Sequence, residues 1–156
     1  MAYPKDRIDD FLAQKKIAVA GVSHQSKNEA ANFIYRKLRD SGYQVFPINP
    51  KAEMVEGSAC YPNLRALPVT VDGVVIVTPP EATEAIVREC AETGVPRVWI
   101  HRAFGTGSVS EAAARLCHDH NISLISGGCP MMFCAPVDFG HKCMGWILRL
   151  TGGIRG

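Results

Sequence analysis

Long apolar runs are absent from this chain of 156 residues. No stretch approaches the ~20 consecutive apolar residues that a membrane-spanning helix requires, so the sequence excludes such a helix. The first sixteen residues carry three aspartates and no apolar segment, which is not the pattern of a secretory signal peptide. We therefore expect a cytoplasmic protein whose six cysteines are mainly reduced thiols rather than a disulfide framework.

An excess of charge of one sign is also lacking. The formal net charge is +2 and the lysines and arginines form no run or tail, so neither nucleic acid nor a membrane is an expected partner. Apolar residues make up 47% of the chain and charged residues 21%, which is ordinary for a globular protein, and the length suits one domain over residues 1–156. We expect a small-molecule ligand; a homo-oligomer or a partner protein stays open.

Familiar metal and catalytic patterns are missing as well. Cys129, Cys134 and Cys143 are separated by four and eight residues, with His141 nearby, and lack the close C-x2-C pair of zinc ribbons. No Ser–His–Asp set, paired carboxylates or H-E-x-x-H motif is recognisable. We predict no metal site and name no catalytic residue, while the reactivity of the three thiols stays open.

What the chain does have is a series of apolar runs rich in β-branched residues. Continuous apolar runs are typical of strands that are covered on both faces, as in a parallel sheet. The pattern predicts an α/β protein, a three-layer doubly wound Rossmann-like fold with a mostly parallel five-stranded sheet. The five predicted strands are 17–20, 45–48, 73–77, 98–100 and 122–125.

Segments with helical spacing lie between the strands. They predict helices over 28–41, 80–93 and 109–120, a leading helix within 1–15, and an irregular segment over 126–156 that includes a short closing helix at 141–150. A hydroxyl residue three positions before a glutamate predicts a capping box at Ser26, Thr78 and Ser108, and Pro79 is expected at the first helical position. The three stop signals are Gly42, Gly94 and Asn121. On 80–93 we expect an apolar face made by Ala82, Ala85, Ile86 and Cys90.

In a doubly wound sheet, ligands bind beyond the carboxyl ends of the strands, so the loops there are the candidates. The first loop, 21–27, combines Gly21 for a sharp turn, Ser23 as a hydrogen-bond donor to a phosphate oxygen, and Lys27 as a charge beside a helix start. It is neither a G-x-G-x-x-G fingerprint nor a Walker loop. Taken alone it fits a plain glycine turn almost as well.

The second loop separates the nucleotide cofactors. NAD-binding domains place an acidic residue at the end of the second strand, where it binds the ribose hydroxyl. Asn49, Pro50 and Lys51 stand there instead. This disfavours NAD and favours a cofactor with a phosphomonoester on its adenosine ribose, which is true of both coenzyme A (CoA) and NADP. The alternative is that Lys51 is simply a solvated lysine.

The third loop is a rigid apolar lip. Thr78, Pro79 and Pro80 follow the third predicted strand, and the two prolines fix the backbone and lack amide donors. Such a wall suits an extended acyl or pantetheine arm. Plain helix-start chemistry explains the same residues equally well.

Together these segments resemble the stand-alone CoA-binding domain family, small Rossmann-type proteins similar to the N-terminal domain of the succinyl-CoA synthetase α subunit. The resemblance runs from about residue 10 to residue 133. Its elements are IAVAGVS at 17–23, GYQVFPINP at 42–50, Gly57 with YPNL at 61–64, VVIVTPP at 74–80, VWI at 98–100, and Cys129-Pro130.

The resemblance implies CoA, or an acyl-CoA, lying across the strand ends. By it, Gly21, Val22 and Ser23 contact the diphosphate with help from Lys27. Asn49, Pro50 and Lys51 approach the adenosine and its 3′-phosphate, and Thr78, Pro79 and Pro80 line the path of the arm. The ligases of this family carry their phosphorylated histidine on a second domain, so their catalysis is not expected here.

Three hypotheses for the function stay open. We expect a CoA-binding module without catalysis of its own, acting as carrier, sensor or partner subunit. The alternative is an acyl-CoA-handling or NADP-dependent enzyme with a cleft cysteine, for which Cys129 is the candidate. A third hypothesis is a mixed disulfide between a cysteine and CoA.

Overall fold

A computed structural model describes residues 4–26, 28–103 and 105–156. Its main sheet has five parallel strands in the order β2-β1-β5-β6-β7, and a two-stranded antiparallel hairpin, β3-β4, stands beside it. The strands are β1 Lys16–Ala20, β2 Gln44–Ile48, β3 Met54–Val55, β4 Ser58–Ala59, β5 Gly73–Ile76, β6 Arg97–Ile100 and β7 Ser123–Ser126. The five predicted strands and the Rossmann-like architecture are confirmed.

The helices form two layers, one on each face of the sheet. They are α1 Lys5–Leu12, α2 Ala30–Asp40, α3 Pro80–Thr93, α4 Glu111–Asp119 and α5 Phe139–Thr151, with single 3-10 turns at Leu64–Ala66 and Pro130–Met132. Alternate residues of β1 pack into separate cores: Val19 with α1 and α2, and Ala18 with α3 and α4. Burial on both faces explains why the strands are continuous apolar runs rather than alternating ones.

The helix starts differ from the capping boxes that the sequence predicts. The helix α2 begins at Ala30 and α3 at Pro80, and in the described residues neither has a side-chain cap. The structure places Pro80, not Pro79, at the first helical position. The prediction of capping at Ser26 and Thr78 is therefore wrong: the N-cap positions are Glu29, three residues after Ser26, and Pro79, one residue after Thr78.

The predicted start of α4 is wrong by two residues. Ser110, rather than Ser108, is the N-cap, and its Oγ accepts a hydrogen bond from the Ala113 amide at 3.3 Å. Ser108 is buried, and its carbonyl oxygen accepts from the Thr83 hydroxyl at 2.8 Å. The predicted stops at Gly42, Gly94 and Asn121 are confirmed, since their φ angles are 94°, 76° and 54°.

The carboxyl-terminal segment is more regular than expected. The closing helix α5 has 13 residues and is capped by Asp138, whose side chain accepts from the His141 amide. Gly145 packs against Met132, whereas the opposite side of the helix leaves large apolar side chains exposed: Phe139, Trp146, Ile147 and Leu150. No helix in the described ranges has both the length and the apolar character needed to cross a membrane.

Candidate functional site

The strand order reverses between β1 and β5, and a cleft opens there at the carboxyl ends of the strands. From β1 the chain passes through α2 to β2 on one side, and β5 continues to β6 and β7 on the other. Such a reversal is the usual ligand position in open α/β sheets.

The cleft has a volume of about 580 Å³, which is within the range of small-molecule sites. Six of the predicted site residues line it: Gly21, Asn49, Pro50, Lys51, Thr78 and Pro79. Within the described chain, Val22, Ser23 and Pro80 lie outside this lining. Lys27 lies outside the described residues.

The loop after β1 is held by side chains rather than by its own backbone. The Ser23 amide donates to Asn32 Oδ1 at 2.8 Å, and Asn32 Nδ2 donates to the Ser23 carbonyl oxygen at 2.9 Å. The Ser23 Oγ accepts from the amides of Gln25 and Ser26 at 3.2 and 3.1 Å. Since the oxygen is the acceptor in both contacts, the hydroxyl proton of Ser23 is left as a donor for a ligand.

Two backbone amides of this loop are already in use. Gly21 donates to the Ile48 carbonyl oxygen at 3.1 Å, and Ser23 donates to Asn32. The Val22 side chain is fully buried in the core on the α2 side. An anion at this loop would therefore meet the Ser23 hydroxyl rather than the amides of residues 21 and 23.

The Asn49 side chain links the first loop to the second. Its Nδ2 donates to the Val22 carbonyl oxygen at 2.8 Å, and its Oδ1 accepts from the Lys51 amide at 2.8 Å. Because both polar ends of Asn49 are engaged, this residue fixes the shape of the cleft. Lys51 is exposed at the rim and, in the part of the chain described, forms no ion pair, so its charge is available to a ligand.

One wall of the cleft is apolar and was not predicted. Ala82 and Ala85 are exposed on α3 and Ile86 is half-buried, and all three line the cleft. The core-facing residues of α3 are instead Thr83, Val87 and Cys90. Of the predicted apolar face, Cys90 is buried and Ile86 packs partly against the core, whereas Ala82 and Ala85 are exposed along the cleft. The other lining residues that the sequence reasoning missed are Ala20, Ile48, Pro62, Asn63, Leu64 and Glu89.

Glu89 is the acidic group of the lining. Its Oε2 accepts from the Leu64 amide at 2.9 Å, and its Oε1 lies 3.7 Å from the Arg65 guanidinium. Both contacts compensate the carboxylate charge and attach the 3-10 turn to α3. The charge of Glu89 is only partly offset, because Arg65 is shared with Glu92, whose Oε2 accepts from Arg65 Nε at 2.9 Å.

The lip formed by Thr78 is connected to the loop after β6. The Thr78 and Thr83 hydroxyl oxygens are 3.3 Å apart, and the Thr83 hydroxyl donates to the Ser108 carbonyl oxygen. Thr83 is fully buried, so these bonds are shielded from water. They hold the β5 and β6 loops in one arrangement.

The nearby histidine and cysteine groups are poorly placed for chemistry. Burial lowers the pKa of His101 to about 4, with a smaller effect from His141, and burial raises the pKa of the Cys129 thiol to about 12. Both groups are uncharged near neutral pH as a result. Cys134 is also buried and Cys143 is exposed. Within the described residues no three His, Cys, Asp or Glu side chains are grouped to hold a metal ion.

Comparisons with known proteins find relatives over most of the chain. The model of a family described as CoA binding domain matches residues 15–135. The α subunit of an ADP-forming acetate–CoA ligase II from Pyrococcus furiosus is 29% identical over 130 residues, which are 78% of this chain and 28% of that subunit. This chain thus spans less than a third of the length of that relative.

Solved structures show the same fold. A hypothetical protein from Pyrococcus horikoshii is 28% identical with a TM-score of 0.74, over 81% of this chain and 86% of that one. A dinucleotide-forming acetyl-coenzyme A synthetase from Ca. Korarchaeum cryptofilum, in complex with phosphate and ADP, is 28% identical with a TM-score of 0.62. That match covers 70% of this chain and 25% of the synthetase chain.

Proposed function

We propose that the cleft between α3 and the loops after β1, β2 and β5 is the CoA site of this chain. The premise is that the chain belongs to the CoA binding domain family and has coenzyme A as its cofactor. The observation that carries the proposal is that an exposed lysine, Lys51, lies at the rim of a cleft with apolar walls at the strand reversal. A nucleotide with a ribose phosphate needs both of these features within one small space.

The apolar part of the cleft, called the chamber below, suits the adenosine. It is lined by Pro62 and Leu64 and, on α3, by Ala82, Ala85 and Ile86. A planar base buries apolar area between such surfaces, and each Å² buried contributes about 25 cal/mol. Lys51 at the rim supplies the charge for the 3′-phosphate.

The remaining parts of CoA follow the two other loops. The diphosphate meets the loop 21–27, where the Ser23 hydroxyl and the basic residue Lys27 are the donors. The pantetheine arm leaves along Thr78, Pro79 and Pro80. The two proline rings are apolar and need no hydrogen-bond partner. Under this proposal all ten residues named from the sequence contribute, though Val22 and Asn49 do so by shaping the loops.

We further propose that the module binds CoA without catalysis of its own. Cys129 supports this, because a thiol whose pKa is raised to about 12 by burial is almost entirely protonated at neutral pH and is a weak nucleophile. His101, kept neutral by burial, is likewise a weak base. The chain would act as a carrier, a sensor or a subunit whose partner performs the chemistry, and the ligase α subunit among its relatives favours the last of these.

A thermal-shift screen tests the cofactor and its selectivity together. CoA, acetyl-CoA, dephospho-CoA, NADP and NAD are compared at equal concentrations, since a ligand that binds only the folded state raises the melting temperature. CoA and acetyl-CoA are expected to give the largest shifts and NAD the smallest. A larger shift with NADP than with CoA contradicts the proposal.

A turnover assay tests the absence of catalysis. Acyl-CoA thioesters are incubated with the wild type and with the Cys129→Ala variant, and free thiol is measured. We expect no turnover by either protein. Hydrolysis that disappears in Cys129→Ala would establish the alternative, an enzyme with a cleft cysteine.

A further inference from the structure

Asn32 is a fully buried polar residue on α2, and its side chain serves the loop after β1. Its amide group binds both backbone groups of Ser23: Oδ1 accepts from the Ser23 amide, and Nδ2 donates to the Ser23 carbonyl oxygen, at 2.8 and 2.9 Å. One side chain thereby replaces the pairing that a neighbouring strand would give. Asn32 was not among the residues singled out from the sequence.

The same amide group reaches a second segment. Its Nδ2 also donates to Glu56 Oε1 at 2.8 Å, and Arg36, one turn further along α2, donates to that oxygen at 2.7 Å. Both donor hydrogens of the Asn32 amide therefore have partners. The Glu56 side chain is only 7% exposed, so protein donors, Asn32 and Arg36 among them, take the place of water at its carboxylate.

Glu56 is presented by an unusual turn. It has a φ of 51°, and Gly57 after it has a φ of 77°, which is the conformation of a two-residue hairpin connection between β3 and β4. A left-handed backbone is unfavourable for a residue with a side chain. The hairpin thus presents Glu56 to the buried Asn32 at some cost in backbone conformation.

An apolar side chain at position 32 would fill the same space in the core and would bring no polar group that needs a partner. A buried amide costs free energy unless every polar atom is bonded, and here each bond leads to a cofactor loop or to the hairpin that supports it. We infer that Asn32, supported by Glu56, is a positioning residue that fixes the loop 21–26 in its ligand-accepting form before CoA arrives. This inference rests on the proposed CoA site.

A pair of ligands separates positioning from general stability. CoA carries a 5′-diphosphate that uses the loop, whereas adenosine 3′-monophosphate has the base, the ribose and the 3′-phosphate but no 5′-phosphate. Calorimetry with CoA and NMR titration with the monophosphate, which measures millimolar constants, are applied to the wild type and to Asn32→Ala. We expect the CoA Kd to rise by about tenfold or more, as for two lost hydrogen bonds, and the monophosphate Kd to stay within about twofold.

A matched control comes from the same helix. Leu38 is buried on α2 two turns from Asn32, and Leu38→Ala lowers the stability without touching the loop. Both Kd values of this variant are expected to match those of the wild type. If the Kd values of both ligands rise equally in Asn32→Ala, or if neither rises, the inference is overturned. A wild type that binds neither ligand overturns the proposed function itself.

Asn32→Asp keeps the test decisive if Asn32→Ala does not fold. The variant retains an acceptor for the Ser23 amide, loses the donors, and sets a second carboxylate beside Glu56. The loss of both donors leaves the Ser23 carbonyl oxygen without its Asn32 partner, so the CoA Kd of Asn32→Asp is expected to rise by about tenfold or more while the monophosphate Kd stays within about twofold. A CoA Kd equal to that of the wild type, or an equal rise for both ligands, overturns the positioning role.

Discussion

Gly21 lies against the Val77 carbonyl group so closely that a Cβ at position 21 would overlap the carbonyl oxygen. The φ of Gly21 is +102°, a backbone conformation that residues with a side chain rarely adopt. Two independent constraints thus require glycine where the loops after β1 and β5 meet. This contact sets the width of the proposed CoA cleft.

Replacement of Gly21 is expected to damage both stability and binding. Gly21→Ala adds a steric overlap to an unfavourable φ, and each effect costs about 1–3 kcal/mol. The free energy of unfolding, measured with urea, should fall by more than about 2 kcal/mol, and the CoA affinity should fall with it.

Gly94→Ala is the matched control for this change. Gly94 has a positive φ of 76°, but no contact from the described residues lies within 4 Å of the place where its Cβ would stand. Only the backbone strain of about 1–2 kcal/mol applies there, and CoA binding should be unaffected. Equal losses in the two variants would show that the contact with Val77 is unimportant.

A larger side chain on the apolar wall of α3 tests whether the adenosine occupies the chamber. Ala85 is exposed and lines the cleft, so Ala85→Phe places a ring in the chamber without disturbing the core. The stability is expected to change by less than about 0.5 kcal/mol. The CoA Kd should rise at least about tenfold by calorimetry, which corresponds to 1.4 kcal/mol.

The matched control for Ala85→Phe is Arg88→Phe, which adds the same side chain elsewhere on α3. Arg88 is exposed and lies outside the cleft lining. It pairs with Glu84, one turn earlier, and this exposed pair contributes little to stability. If both variants bind CoA as the wild type does, the adenosine does not occupy the chamber.

Sequence reasoning recovered the sheet and the three loops at its edge. The β-branched runs, the stops at Gly42, Gly94 and Asn121, and the positions of Gly21, Lys51 and Pro79 at strand ends are properties of short segments. Parallel pairing then brings those segments together without further information. For this reason six of the named site residues line one cleft.

The residues that were missed depend on contacts distant in sequence. Periodicity shows that one face of α3 carries small apolar residues, but it cannot separate Ala82 and Ala85, which lie along the cleft, from Cys90 in the core. Asn32 acts through Ser23 and Glu56, which are 9 and 24 residues away. The caps at Ser26, Thr78 and Ser108 were wrong because these residues have other roles: Ser26 Oγ accepts from the Asn28 amide, Thr78 Oγ1 lies 3.3 Å from Thr83 Oγ1, and Ser108 is buried.

His101 makes the stability depend on pH. Its unperturbed pKa is 6.5 and burial lowers it to about 4 in the folded protein. Between these values the unfolded chain binds a proton that the folded chain does not, so stability falls as the pH drops from 6.5 to 4 and His101 contributes no further change below that. The full effect is at most about 3 kcal/mol.

Urea unfolding at pH 7 and pH 4.5 measures this contribution. Other groups titrate in the same window, so the comparison is between the wild type and His101→Gln. The variant should lose less stability on acidification than the wild type does. Identical losses in the two proteins would mean that His101 is accessible to protons in the folded state.

The six thiols should differ widely in reactivity. Cys143 is exposed, while the other five are buried, and burial raises the pKa values of Cys117 and Cys129 to about 12. A thiol reagent at pH 8 should modify one residue quickly, and Cys143→Ser should remove that fast phase. Rapid modification of Cys129 would instead support thiol chemistry in the cleft, including a mixed disulfide with CoA.

The recognition of the 3′-phosphate by Lys51 is the electrostatic basis of the assignment. Lys51→Ala is expected to weaken CoA by about tenfold and to leave dephospho-CoA unchanged, since only CoA carries the phosphate. Lys15→Ala, which removes an exposed lysine before β1 at the opposite edge of the sheet, is the control and should alter neither affinity.

Calorimetric titration of the wild-type protein with CoA and with dephospho-CoA tests the central claim most directly. One CoA per chain should bind, about tenfold more tightly than dephospho-CoA, and this preference should vanish in Lys51→Ala. Equal affinity of the wild type for the two ligands, or a preference that survives in Lys51→Ala, would contradict the placement of the ribose phosphate at this end of the sheet.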